Sequence, residues 1–434
     1  MKRKRMYRAT AVKGVDLGCV TAGREGQGAV VGFDVGKRRL LAVVRWEDGR
    51  FERPWLAENP GEVPVLVGLL KRLSAGRRLR LAMEPTGTYG DALRQALWDA
   101  GMPLERVSGK AAHDYAEIFD GVPSQHDGKD AAVVAELAAL GKSSRWQYEE
   151  PNQRDREMAY WVDWLDAHQR QLTMWLGRLE ALLARHWPEA TQWLSLSSGT
   201  LLRVLERYGG PGRLAEDEQA VQQLARWGGR YLAVEKVRGL VASAKRTVGV
   251  RQTAIDEHRM RQYAAQALAA RREIARSYRE LKRLAAGNEV IQRQARVVGL
   301  VTACVLWVHL GDPSSYHCAE AYRKAMGLNL KERSSGLYQG QLRISKRGNA
   351  QVRRWMYFAA LRHIQRGPAA WWYQRKKSRD GGDGQRGVVA VMRKLALALY
   401  AVGARGEEFS AERLFGGVRC APRRSRVRRS VCCR

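Results

Sequence analysis

The spacing of apolar residues changes twice along the chain, and each change marks a different kind of structure. Two short β-branched runs, AVVGFDV (29–35) and LLAVVRW (40–46), stand on either side of a tight GKRR turn, and EDGRFERPW (47–55) can supply a third strand. GEVPVLVGLLKRLSAG (61–76) has helical spacing and stops at Gly76. RLRLAME (78–84) alternates charged and apolar residues, as a strand with one buried face does. GTYGDALRQALWDAG (87–101) reads as a helix, PLERVS (103–108) as a short strand, and the Ala-rich GKDAAVVAELAALG (128–141) as a further helix. Three strands followed by alternating helices and strands predict a mixed α/β sheet.

From about Pro151 the period becomes that of a coiled coil. Met158, Trp161, Leu165, His168, Leu172, Trp175, Leu179 and Leu182 follow a 3,4 spacing, and a second seam runs from Met260 through Tyr263, Ala267, Ala270, Ile274, Ser277 and Leu281 to Leu284. An antiparallel hairpin within the chain and a dimerisation coiled coil satisfy this pattern equally. Between the seams, TLLRVLERYGGPGRLA is a helix stopped at Gly209-Gly210-Pro211. From about Gln294 the pattern changes again, to a turn and an apolar helix in VVGLVTACVLWVHLGD.

Charge narrows the function. The 434 residues carry a formal charge of +32. A protein this basic faces a polyanion, nucleic acid before a membrane surface; the plainer alternative is a ribosome-like or merely solubilising surface. Arg333–Arg379 holds twelve Lys or Arg and no acid, where the chain's 44 acids in 434 residues would put about five. Trp355, Tyr357, Trp371 and Trp372 lie among these cations. They suit base stacking, although their helical spacing favours core packing. No apolar run reaches the roughly 18–20 residues of a membrane helix. The basic start MKRKRMYRATAVKG has no apolar segment behind it and is not a secretory signal. The six cysteines form no CxxC pair and no zinc spacing, so a reduced cytoplasmic compartment is expected.

Four acids stand where chemistry is expected. Asp34 ends the first strand among small residues, and Glu84 ends a later strand just before Pro85. Asp127 and Asp130, three apart at the start of a helix, share one face. If the strands are neighbours and the helix crosses their ends, the four carboxylates converge. That is costly without a cation, and with Mg²⁺ it is a site for phosphoryl transfer. Taken singly, Asp34 suits a turn, Glu84 a solvated strand end, and Asp127 and Asp130 a helix cap and first turn. Further on, Ser334 and Ser335 precede Gly336 in a loop, followed by Arg343, Lys346, Arg347, Arg353 and Arg354. A serine attacking a phosphodiester needs such cations, and Arg binds phosphate bidentately. A solvated Ser-Gly turn explains the same letters, and nothing local identifies a general base.

In their order and separations these motifs resemble the insertion sequence 110 family of transposases, DEDD-type enzymes related to Piv-like DNA invertases. GFDVGK is similar to the family's first acidic strand, MEPTGTYG to its second acidic motif, and SQHDGKDAAVVAELA to its paired-Asp motif. AYRKAMGLNLKERSSG and LRISKRGNAQVRRWMY are similar to its serine loop and the basic segment after it. Gln125 and His126 stand where the family has Lys and Thr. The resemblance implies a RuvC-like, RNase H-fold domain over 29–148 with Asp34, Glu84, Asp127 and Asp130 as Mg²⁺ (or Mn²⁺) ligands. A helical coiled-coil region over 149–290, suited to dimerisation, and a mainly α, basic transposase domain over 291–410 would follow. Residues 1–28 would be a basic flexible arm and 411–434 a disordered basic tail. Ser335 would be the nucleophile that links transiently to DNA, with Ser334 the alternative on the residues alone. DNA, a non-coding guide RNA and further copies of the chain (a dimer or tetramer) would be the partners, in a bacterial or archaeal cytoplasm near the nucleoid. Two rival readings remain: a RuvC-like metal-dependent junction nuclease without a covalent step, and a non-catalytic nucleic-acid-binding assembly protein.

Overall fold

Ala29–Val35 is apolar on both faces because both faces are covered. This strand sits mid-sheet in the computed structural model, which describes residues 8–85, 87–120, 126–146, 152–332, 340 and 342–416. The chain divides into two compact units, residues 1–150 and 151–434.

In the first unit the strands are β1 (Thr10–Ala11), β2 (Ala29–Val35), β3 (Arg39–Trp46), β4 (Trp55–Glu58), β5 (Leu79–Met83), β6 (Leu104–Val107) and β7 (Ser143–Trp146). They lie in the order β1-β4-β3-β2-β5-β6-β7. β2, β3 and β4 form an antiparallel meander, while β5 and β6 run parallel to β2. Without the short edge strands β1 and β7 this is the 3-2-1-4-5 order of the RNase H fold. Val31, Phe33 and Val35 face helices Val63–Ser74 and Asp91–Asp99. Val30 and Ala82 face helices Gly109–Asp120 and Asp127–Ala139.

The second of these helices is seated unusually close. A Cβ on Gly32 would stand 2.2 Å from the Ala131 carbonyl oxygen and 2.4 Å from the Ala135 nitrogen. Only a glycine leaves room for that approach. The helix supplies its half of the fit with Ala131, Ala132 and Ala135, all buried. An ion pair and a hydrogen bond hold it to the sheet: Arg45 pairs with Glu136, and Arg80, itself fixed by Glu105 on the neighbouring strand at 2.8 and 2.7 Å, donates to the Ala138 carbonyl at 2.8 Å.

Several expectations change here. The third strand begins after Pro54, not at residue 47, because Asp48 and Gly49 turn the chain straight after β3. Helix Gly109–Asp120 and β7 were not foreseen; the helix buries only Ala112, so its apolar stripe is faint. Most of the expected flexible arm is folded: β1 pairs with β4, Val12 is 2% exposed, and Arg24 and Arg77 flank the Trp46 ring at 5.0 and 5.2 Å.

The second unit is helical. Helices Gln153–His186 and Ala254–Ala285 pair antiparallel within the chain: Arg154 donates to the Leu284 carbonyl, Trp164 to Glu273, and Trp175 stacks near Tyr263. One end of this hairpin packs into a core with helices Glu289–Val298, Leu300–Leu310, Ala319–Ala325, Ala350–Arg366 and Gly384–Ala404. Its other end packs with Gly199–Tyr208 and Val234–Lys245. Both seams are thus used internally. Gly384–Ala404 corrects one expectation, since its length and composition pass as membrane-spanning. Val388, Val391, Leu395 and Leu399 bury one side of it in the unit's own core. Helix Ala411–Phe415, with Phe415 2% exposed, also orders the start of the expected tail; residues 417–434 lie outside those described.

The Gly32 contact yields a paired test. Gly32→Ala should destabilise the protein by about 1–3 kcal/mol or more, since backbone must move. Gly68→Ala, on an exposed helix position with nothing within 4 Å of the new Cβ, should stabilise it by about 0.5–1 kcal/mol. Urea denaturation of both variants measures the difference.

Candidate active site

Register brings the first two acids together. Phe33 pairs with Met83 across the parallel β2–β5 ladder, so the next residues, Asp34 and Glu84, leave the same end of neighbouring strands on the same side. That end is the carboxyl edge, where open α/β sheets bind ligands. Asp34 lies two residues beyond Gly32, on the face over which helix Asp127–Ala139 passes. The first turn of that helix carries Asp127 and Asp130, and so the paired acids are delivered to the edge that holds Asp34 and Glu84. At Glu84 the fit is also tight: a Cβ on Gly109, the first residue of its helix, would stand 2.9 Å from Glu84 Oε2.

The electrostatics record the convergence. Burial, then the charges of Asp130, Asp127 and Glu84, push the Asp34 carboxyl up to about 6, against a hydrogen bond from the Val35 N–H. Glu84 is raised by burial and by Asp130, and His113 opposes the shift. Asp130 is raised by burial and by Asp127, with Lys129 and His126 opposing. Among the described residues no three His, Cys, Asp or Glu side chains stand close enough to enclose an ion as they are. The donor set nevertheless fits a hard divalent cation: carboxylate oxygens, mutually repelling, on a partly desolvated edge. Asp34, Glu84, Asp127 and Asp130 are the residues that would hold it.

Sequence reasoning missed the groups around this cluster. Lys129, between the two aspartates in sequence, is 1% exposed and its Nζ binds Asp120 at 2.6 Å. Its signal was a lysine inside an otherwise apolar helix. His113 lies on a helix that the apolar pattern did not reveal.

The basic segment is divided between structure and surface. Strands β8 (Leu330–Lys331) and β9 (Arg343–Ile344) pair antiparallel. The chain between them includes Ser334 and Ser335, which lie outside the described residues. Arg343, Lys346 and Arg347 are exposed, and Lys346 adopts φ 56°, a backbone region unfavourable for a lysine. Arg353 braces the loop by donating to the Gly348 carbonyl at 2.8 Å. Arg354 is engaged by Asp166, a buried acid that also binds Arg170. Of the aromatic residues, Trp355 is core (6% exposed), whereas Tyr357 and Trp371 are 40% and 48% exposed.

An RNase H-like sheet with four acids gathered at its carboxyl edge defines the class: a RuvC-like unit, here followed by a helical one. Two family models agree with it and narrow it. One described as a transposase, of the DEDD type of insertion sequence IS110, matches residues 31–188, and one described as the transposase IS116/IS110/IS902 family matches 293–375. The chain belongs to the IS110 family of DNA transposases. It is 24% identical over 405 residues to the insertion element IS110 uncharacterized 43.6 kDa protein of Streptomyces coelicolor, covering 92% of this chain and 99% of that protein. It is 31% identical over 137 residues to the transposase for insertion sequence element IS1111A of Coxiella burnetii, covering 30% and 37%. Among solved structures, T. thermophilus RuvC in complex with Holliday junction substrate matches 27% of this chain and 99% of its own, at 14% identity and a TM-score of 0.22, too loose a likeness to add to the topology.

Repulsion at the cluster sets a pH dependence. Asp34 holds its proton more tightly folded than unfolded, so its contribution favours folding below about pH 4 and is lost as pH rises through about 6. With divalent ions chelated, Asp34→Asn should therefore melt above wild type near neutral pH, by on the order of 1–2 kcal/mol after solvent screening, and match it near pH 4. Thermal melts across that range measure it.

Proposed function

We propose that this chain is a site-specific recombinase that moves an insertion sequence by cutting and rejoining DNA, with Ser335 as nucleophile and Asp34, Glu84, Asp127 and Asp130 as ligands for Mg²⁺ or Mn²⁺. The observation that carries the reading is the meeting of four acids at one sheet edge in a chain of a transposase family. When bound, a divalent ion supplies charge stabilisation to phosphate oxygens. Ionised, the four carboxylates supply the oxygen donors for it. Lys129 and His126 hold Asp130 towards its charged form, and His113 does the same for Glu84.

Ser335 Oγ attacks the phosphorus of a DNA phosphodiester. The bridging P–O bond breaks, the leaving DNA hydroxyl takes up a proton, and the serine loses its own. The resulting serine–DNA ester conserves the bond energy, and attack by another DNA hydroxyl reverses the step and frees the serine. Arg343, Lys346 and Arg347 bind backbone phosphates, while Arg353 and Arg354 act by holding the segment that carries them. A guide RNA, assembly as a dimer or tetramer, and action in the cytoplasm near the nucleoid belong to the same reading and rest on the family likeness.

Hydrolysis without a covalent step is the second reading, because the acid cluster alone suits it. Ser335→Ala separates the two. It should abolish strand exchange and the SDS-stable protein–DNA adduct while leaving DNA affinity within about twofold. Undiminished recombination by that variant excludes the serine. In the same experiment Mg²⁺ should raise the melting temperature of wild type and leave that of Asp34→Asn unmoved.

A further inference from the structure

The second unit contains a concave site that the cleavage chemistry does not use. Helices Ala370–Arg379 and Gly384–Ala404 and the short helix Ala411–Phe415 line a half-open cavity of about 500 Å³. That is within the range of small-molecule sites. Its aromatic part is fixed in place: the Trp372 and Phe415 rings lie 6.0 Å apart, and Lys394 Nζ sits 5.2 Å from the Trp372 centroid while donating to the Leu414 carbonyl at 2.6 Å. Trp371, by contrast, is 48% exposed, with the Arg375 guanidinium 5.5 Å from its ring centroid.

The charge of the lining is one-sided. Five cations and no carboxylate line the cavity. Asp380 beside it binds Lys376 and approaches Arg379 only at 3.9 Å. Arg375 and Arg413 are exposed and are in no ion pair among the described residues. An occupant must therefore be anionic. The chain's own continuation after Gly416, rich in arginine, has the wrong charge for it.

The exposed Trp371 ring offers an occupant a flat apolar face to stack on. A base inside a duplex cannot stack there, because its faces are covered by its neighbours. A single nucleotide out of the stack can, with its base on the indole and its phosphates among Arg375, Arg379 and Arg413.

We infer that this pocket binds one unpaired nucleotide of a nucleic-acid strand, by stacking on Trp371 and by contacts of its phosphates with the surrounding arginines. The site is independent of the acid cluster and of Ser335, so it stands or falls apart from the proposed cleavage chemistry.

The test uses the full chain and 2-aminopurine-labelled oligonucleotides in single-stranded DNA, single-stranded RNA and blunt-duplex forms, with affinity read by anisotropy and stacking by 2-aminopurine quenching. Trp371→Ala should weaken binding of strands with unpaired bases by roughly 5- to 100-fold and abolish quenching. Trp371→Phe should retain most of both, and duplex affinity should stay within about twofold. Arg375→Ala should lower the salt dependence of single-strand binding by about one phosphate contact. A larger loss on RNA than on DNA, or the reverse, supports the pocket and identifies the strand that enters it. Unchanged single-strand binding and quenching in Trp371→Ala, or an equal loss on duplex, overturns it.

Discussion

Like charges brought near one another are the constraint on which the first unit depends. Four carboxylates at one sheet edge repel, and burial makes the repulsion costlier, most of all at Asp34. What opposes it is packing. The absence of a side chain at Gly32 lets an alanine-rich helix rest on the strand backbone, and Arg45 and Arg80 tie that helix to the sheet. The helix cannot withdraw its aspartates without losing those contacts. Repulsion at the edge is thus maintained by cohesion a turn or two away.

The helical unit meets a different demand. It carries a large share of the chain's positive charge, and several arginines within it are structural. Asp166 draws Arg170 and Arg354 to the long hairpin, and Arg353 fastens the segment ahead of helix Ala350–Arg366. Arg343, Lys346 and Arg347 stand in one exposed stretch, and Arg375, Arg379 and Arg413 stand around an aromatic cavity. The first arrangement suits a backbone followed at its surface. The second suits a group taken out of its stack.

Much of this was legible in the sequence, for identifiable reasons. The apolar run of β2, the turn into β3 and the spacing of Asp127 and Asp130 are local signals, and they led to the strands and the shared helix face. The pairing of Phe33 with Met83, which sets Asp34 beside Glu84, is a long-range property that no local pattern encodes; the family likeness stood in for it. Helix Gly109–Asp120 escaped because it buries so little, and β1 because two residues give no period. The heptads of the long helices could not distinguish a partner within the chain from one outside it. The ion pair of Arg354 with Asp166 joins residues far apart in sequence, so the arginine read as surface charge.

The most direct test of the acid cluster is Mn²⁺ binding by the full chain, followed by the EPR signal of the free ion, in wild type and Glu84→Gln. The expected result is saturable binding near pH 7.5 that falls away as the pH drops through about 6, and at least about tenfold weaker binding in Glu84→Gln. Mn²⁺ uptake that ignores both the pH and the substitution would contradict a cation site at this sheet edge.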